Sequence, residues 1–158
     1  MRDEITRLGV LQGIHKSLKP NGRFVFEMGG HGNCAEVRTA LISALVHQGG
    51  KPIEEAREAI PWFFPSEDGM RKTLEGIGFG VDKLEVEYRP TKLTTNENGG
   101  IEGWVRLMAA SMLEDLDGDP REHAITETCD LLESVITRKE DGSKWLGYVR
   151  LRGVAIKK

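Results

Sequence analysis

The chain has 158 residues, and its 22 Lys and Arg against 25 Asp and Glu leave a net charge of −3 with the two signs interspersed. That pattern disfavours a nucleic-acid footprint and a polybasic membrane patch. With 39% hydrophobic and 30% charged residues the chain is too apolar for intrinsic disorder, and its length suits a single domain over residues 1–158. The longest apolar stretches, such as residues 40–46, fall far short of the roughly 20 needed to cross a bilayer, and the first residues carry no signal-peptide core. Cys34 and Cys129 have no CxxC or Cys/His spacing, so they read as core residues in a cytoplasmic protein.

Ile5, Leu8, Leu11, Ile14 and Leu18 recur every three to four residues, predicting a helix over residues 3–18. Lys19-Pro20-Asn21-Gly22 stops it: Pro20 biases Lys19 out of the helical region, and Asn21-Gly22 supplies positive φ. Residues 23–28 form a short apolar run that suits a mostly buried strand, ended by Gly29-Gly30-His31-Gly32-Asn33. Val37, Leu41, Ala44 and Leu45 then mark a second helix, with Gly49-Gly50 as its stop. Pro61-Trp62-Phe63-Phe64-Pro65 is an apolar loop, held out of a helix by its prolines. Ser66 caps a helix carrying Met70, Leu74 and Ile77 and closing at Gly78.

Residues 81–88 alternate as a strand with one wet face, and Arg89-Pro90 ends it. A turn-rich loop spans residues 96–100. Ile101, Trp104, Val105, Met108, Met112 and Leu116 predict one helix, which Asp117-Gly118-Asp119-Pro120 breaks. Ile125, Cys129, Leu132, Val135 and Ile136 predict another, and residues 145–156 a closing strand. The order is an α/β layered fold around three strands, few enough that the sheet is expected to belong to a larger one.

His31 lies just after a buried strand, where open α/β sheets place ligands, although glycines there also serve a plain sharp turn. The segment lacks the spacing of a dinucleotide fingerprint or a P-loop. No metal site is expected, because His31 and Cys34 lack further ligands, and a calcium loop centred on Gly118 would need ligands at Leu113 and Ala124. No G-x-S-x-G elbow supports a hydrolase. Trp62, Phe63 and Phe64, with Trp104 and Arg89, are candidates for an apolar wall and a cation facing an anionic substrate, the alternative being ordinary core.

Three stretches carry a resemblance: the run from Leu18-Lys19-Pro20-Asn21-Gly22-Arg23 through Phe24-Val25-Phe26-Glu27, the turn Gly29-Gly30-His31-Gly32-Asn33, and Tyr148-Val149-Arg150-Leu151-Arg152-Gly153-Val154-Ala155. Together they resemble the C-terminal half of class I S-adenosylmethionine-dependent methyltransferases, in particular the small-molecule, trans-aconitate methyltransferase-like branch. The resemblance implies a partial Rossmann-like sheet in which residues 23–28, 81–88 and 145–156 are the fifth, sixth and seventh of seven strands. It implies Gly29, Gly30, His31, Trp62, Phe63, Arg89 and Trp104 as substrate-binding residues, and methyl transfer, carboxyl O-methylation included, with no strong base. The family's Gly-rich cofactor loop and ribose-binding acid match no segment here, so S-adenosylmethionine is not expected to bind this chain alone. The expected partners are a small-molecule substrate and either a second copy or a complementing N-terminal half. A fragment of a longer enzyme, a split enzyme and a degenerate, self-associating binding module all remain open.

Overall fold

The computed structural model describes residues 4–96 and 99–158. In chain order the elements are α1 (Glu4–Ser17), β1 (Arg23–Gly29), α2 (Ala35–His47), α3 (Ile53–Glu58), α4 (Glu67–Ile77), β2 (Phe79–Tyr88), β3 (Thr91–Lys92), α5 (Gly100–Met108), α6 (Asp119–Ile136), β4 (Trp145–Leu146) and β5 (Val149–Lys157). Asp3, the expected start of the first helix, and residues 97 and 98 of the expected loop lie outside the described residues. Two compact units share the chain: one takes residues 1–33, 62–89 and 148–158, the other residues 34–61 and 90–147.

The first unit is a three-stranded sheet in the order β1-β5-β2, with β5 antiparallel to both neighbours. Its local punctuation follows the sequence. Asn21 takes φ 63° and the Gly22 N–H donates to Lys19 O at 2.8 Å, so the chain reverses directly from α1 into β1. Ser66 Oγ accepts from the Gly69 N–H at 3.2 Å, and Gly78 ends α4 at φ 109°, a left-handed value that glycine adopts without strain. Met70 and Leu74 of α4 pack with Phe79, Leu151 and Ala155, and Leu11, Ile14, Phe24 and Phe26 close around them. Both helices therefore cover one face of the sheet. Gly153 makes that possible in the middle of β5, because a Cβ there would lie 2.5 Å from Phe26 Cζ.

The uncovered face corrects the expectation of a mostly buried first strand. Arg23, Val25 and Glu27 are exposed while Phe24, Phe26 and Met28 are half-buried, the alternation of a strand with helices on one side only. The same face carries an ion ladder. Glu27 accepts from Arg152 Nε at 2.6 Å and stands 3.7 Å from Arg150 Nε, and Arg152 also pairs with Glu87. On the apolar face Leu84 is half-buried, whereas Val86 and Tyr88 are 42% and 68% exposed. Length explains this: the 11 residues of α4 rise about 16 Å, against about 33 Å for the 10 residues of β2.

The second unit is mainly helical. α6 packs on α2 and α5, burying Val37, Leu41, Leu45, Val105, Ile125 and Leu132, and the buried Thr128 returns its hydroxyl to Ala124 O at 2.7 Å. Four features differ from the sequence reading. The helix expected to reach Leu116 ends at Met108, and Ala109 O accepts from both Met112 and Leu113 N–H in tight turns. Met112 and Leu116 are buried there all the same, because successive turns also bring every third or fourth residue inward. The closing strand is broken, β4 pairing with β3 and β5 with the main sheet. Strand β3, with its pairing to β4, and the short helix α3 had no sequence signal.

Candidate active site at the carboxyl end of the first strand

β1 and β2 run parallel to one another across β5, so Gly29 and Tyr88, placed opposite Arg150 and Val149, share one end of the sheet. That is the end where open α/β sheets take ligands. The chain turns sharply there. Asn33, 7% exposed, accepts the Val149 N–H on its Oδ1 at 2.8 Å, and Gly32 takes φ 87°. Gly29 is close against the Phe64 ring, with Phe64 Cδ1 2.5 Å from where a Cβ would stand. The His31 N–H donates to Pro65 O at 2.9 Å, which ties the turn to residues 62–65.

Beside that segment a cavity of about 350 Å³ opens between α1 and α4, lined among others by Arg7, Leu8, Leu11, Phe63, Pro65 and Met70. Its volume is at the lower end of the range for small-molecule sites. The Arg7 guanidinium lies over the Phe63 ring, 4.1 Å from its centre, a cation–π contact at the rim. Glu4, Ser66 and Thr73 complete the polar part of the wall.

Among the seven residues singled out from the sequence, Gly29, Gly30, His31 and Phe63 come together at this end of the first unit. Trp62 sits beside them, its ring 6.2 Å from that of Phe64. Arg89 follows β2 at the same end; its N–H donates to Tyr148 O at 2.7 Å, and its charge helps hold the Glu27 carboxyl below the usual range, after the larger effect of the Arg152 hydrogen bond. Trp104 lies on α5 in the second unit. Sequence reasoning placed Phe64 in the aromatic wall but missed Arg7 and the anchoring role of Asn33. Arg7 had a signal in its position next to the Leu8 and Leu11 stripe, whereas the anchoring role of Asn33 depends on a partner 116 residues away.

The turn does not fit a bound anion. Gly30, His31, Asn33 and Cys34 all spend their N–H groups on protein carbonyls, those of Val149, Pro65, Gly30 and Gly147, so no cradle of free donors is left for the carboxylate of an adenosylmethionine or for a phosphate. Among the described residues no three His, Cys, Asp or Glu side chains converge as metal ligands, and no helix is long and apolar enough to cross a membrane.

A crystal structure from Bacillus halodurans C-125, which carries a provisional methyltransferase assignment, superimposes on 95% of this chain and 57% of its own, with a TM-score of 0.51 at 11% identity. The fold is methyltransferase-like. An uncharacterized methyltransferase of Schizosaccharomyces pombe, C70.08c, is 33% identical over 164 residues, which take in 99% of this chain. The chain spans 58% of the length of that curated relative, and no family model matches it. Within this methyltransferase-like fold, the Gly29–Phe64 contact and the Arg7 cavity stand at the carboxyl end of β1.

Proposed function

We propose that this chain is the substrate-side portion of an S-adenosylmethionine-dependent methyltransferase acting on a small molecule, with a carboxylate oxygen as the favoured methyl acceptor. The observation that carries the reading is the 33% identity to a methyltransferase sustained over 99% of the chain. Cofactor binding is assigned to the part of the relative that this chain does not match, a reading supported by the four backbone N–H groups of Gly30, His31, Asn33 and Cys34 that are already taken by carbonyls. What these residues supply is placement: the turn fixes the end of β1, the aromatic segment walls off water, and Arg7 and Arg89 provide cations for an anionic acceptor. Methyl transfer to a carboxylate needs little more than alignment and desolvation.

The test combines the chain with the unmatched portion of the fission-yeast relative, adds S-adenosylmethionine tritiated in the methyl group, and screens small carboxylic acids. Carboxyl methylation appears as tritium that mild base releases as methanol. Transfer to base-stable product would keep the methyltransferase reading and remove the carboxylate, and absence of transfer with every acceptor would count against the whole reading.

A further inference from the structure

The cavity between α1 and α4 lies wholly within the first unit, and its apolar and polar parts are unequal. Leu8 and Leu11 of α1 and Met70 of α4 line it together with Phe63 and Pro65. Leu11 also packs against the core cluster that holds Met70, Leu74 and Phe79, so that part of the wall rests on the core. Two side-chain hydroxyls reach the wall, and both engage the backbone of α4. Ser66 Oγ accepts from the Gly69 N–H at 3.2 Å, and Thr73 Oγ1 donates to Gly69 O at 2.9 Å. Among the described residues the charged groups on the wall are Arg7 and Glu4. Arg7 lays a face of its guanidinium on Phe63, and its N–H groups lie in the guanidinium plane, the direction from which a carboxylate engages arginine.

We infer that this cavity takes a monocarboxylic acid with a flexible apolar chain, the carboxylate at Arg7 and the chain along Leu8, Leu11 and Met70, an occupant that rests on reading this end of the unit as the substrate side. Charge selects the class. One carboxylate is matched by the one cation of the wall. A dicarboxylate or tricarboxylate would set its further charges against Glu4 and apolar side chains, and a desolvated charge without a partner is costly. The hydroxyls select in the same sense: with Ser66 and Thr73 engaged by α4, a ligand rich in hydroxyls or amides would leave polar groups unpaired. A volume of about 350 Å³ limits the length of the chain. Leu8, Leu11 and Met70 thereby determine chain length, and Glu4 excludes a second carboxylate.

Calorimetry on the chain without cofactor tests the occupant, with straight-chain carboxylates from butanoate to decanoate, octanol, octanedioate and propane-1,2,3-tricarboxylate as probes. Each added methylene should tighten binding about fourfold until the cavity is full, after which the gain stops. Octanol and the tricarboxylate should each bind about tenfold or more weakly than octanoate. Arg7→Gln should lower octanoate affinity about tenfold and leave octanol unchanged, and Glu4→Gln should narrow the gap between octanoate and octanedioate by about threefold. Leu8→Phe, at a half-buried position, should shorten the longest chain accepted, and the Met70 methyl resonance of the native chain should shift with octanoate whether or not that variant folds. The proposal is overturned if affinity is flat with chain length, if the tricarboxylate binds as tightly as octanoate, if Arg7→Gln weakens octanol as much as octanoate, or if the Met70 resonance is unmoved. Methyl transfer by the combined protein to the tricarboxylate in preference to octanoate would overturn it and leave the methyltransferase reading standing. Binding that grows with chain length, with no transfer to any acid, would support the occupant and count against methyl transfer.

Discussion

Replacing Gly29 by alanine probes how the ligand end of the sheet is assembled. The backbone at Gly29 has an ordinary negative φ, being absent from the positive-φ glycines, so the substitution is not strained by conformation. Its cost comes from the Phe64 ring, whose Cδ1 would lie 2.5 Å from the new Cβ, with Asn33 Nδ2 at 3.1 Å. Forcing a methyl group into a packed contact costs about 1–3 kcal/mol, while the stiffer unfolded chain returns about 0.4–1 kcal/mol. A net loss of about 1–2 kcal/mol follows, which for a chain of this size lowers Tm by about 2–8 °C. Phe64→Ala removes the obstacle, and in that background Gly29→Ala should be neutral or stabilising by up to about 1 kcal/mol. Thermal and urea melts of the native chain, both single variants and the double variant give the coupling energy directly. The reasoning fails if Gly29→Ala is equally destabilising with and without the Phe64 ring, or if it stabilises the native chain.

In the second unit, Glu127 accepts from His47 Nδ1 at 2.8 Å, Gln48 Nε2 at 2.8 Å and Ser43 Oγ at 3.3 Å; burial pushes its pKa up, but these donors outweigh it and hold the carboxyl below its usual range. Stability from this group is complete above the unfolded-state pKa and is lost as pH falls through the lower folded-state value, so Glu127→Gln should cost about 1 kcal/mol at neutral pH and narrow its deficit in acid, as melts at pH 7 and pH 3 would show. Ser66→Ala removes the cap of α4 and should cost about 1 kcal/mol, against little change for Ser66→Asp, in the same melts. Calorimetry should detect no S-adenosylmethionine binding to the isolated chain at sub-millimolar concentration; micromolar affinity would place the cofactor site within these residues after all.

Local signals explain what was legible in the sequence. The Asn21-Gly22 reversal, the Ser66 cap and the Gly78 stop depend on residues within one turn of each other, and each stands where its chemistry puts it. The helix read through Met112 and Leu116 shows the limit of periodicity, since consecutive tight turns bury residues at the same spacing. Pairing of Lys92 with Trp145 is a contact between distant, nearly patternless dipeptides, and nothing local announces it. At the candidate site, glycines and aromatics were visible because their types are unusual there. The cavity cation was not, because Arg7 becomes a rim residue only when α1 and Phe63 meet in space, and the charged face of β1 was hidden by reading its apolar residues as a run rather than as an alternation.

The middle strand of the three, β5, is synthesised well after both of its neighbours. Glu27 and Arg152, joined across β1 and β5, are 125 residues apart, and among the described residues β2 likewise pairs with β5 alone. At about 5–20 residues per second, β1 waits roughly 6–25 s on the ribosome for its partner. During that interval Phe24, Val25 and Phe26 lack their β5 contacts, and their aromatic and β-branched composition is of the kind that associates between chains. Yield in a cell is therefore expected to depend on chaperone occupancy of this segment during translation, and a circular permutant that begins with β5 would shorten the exposure.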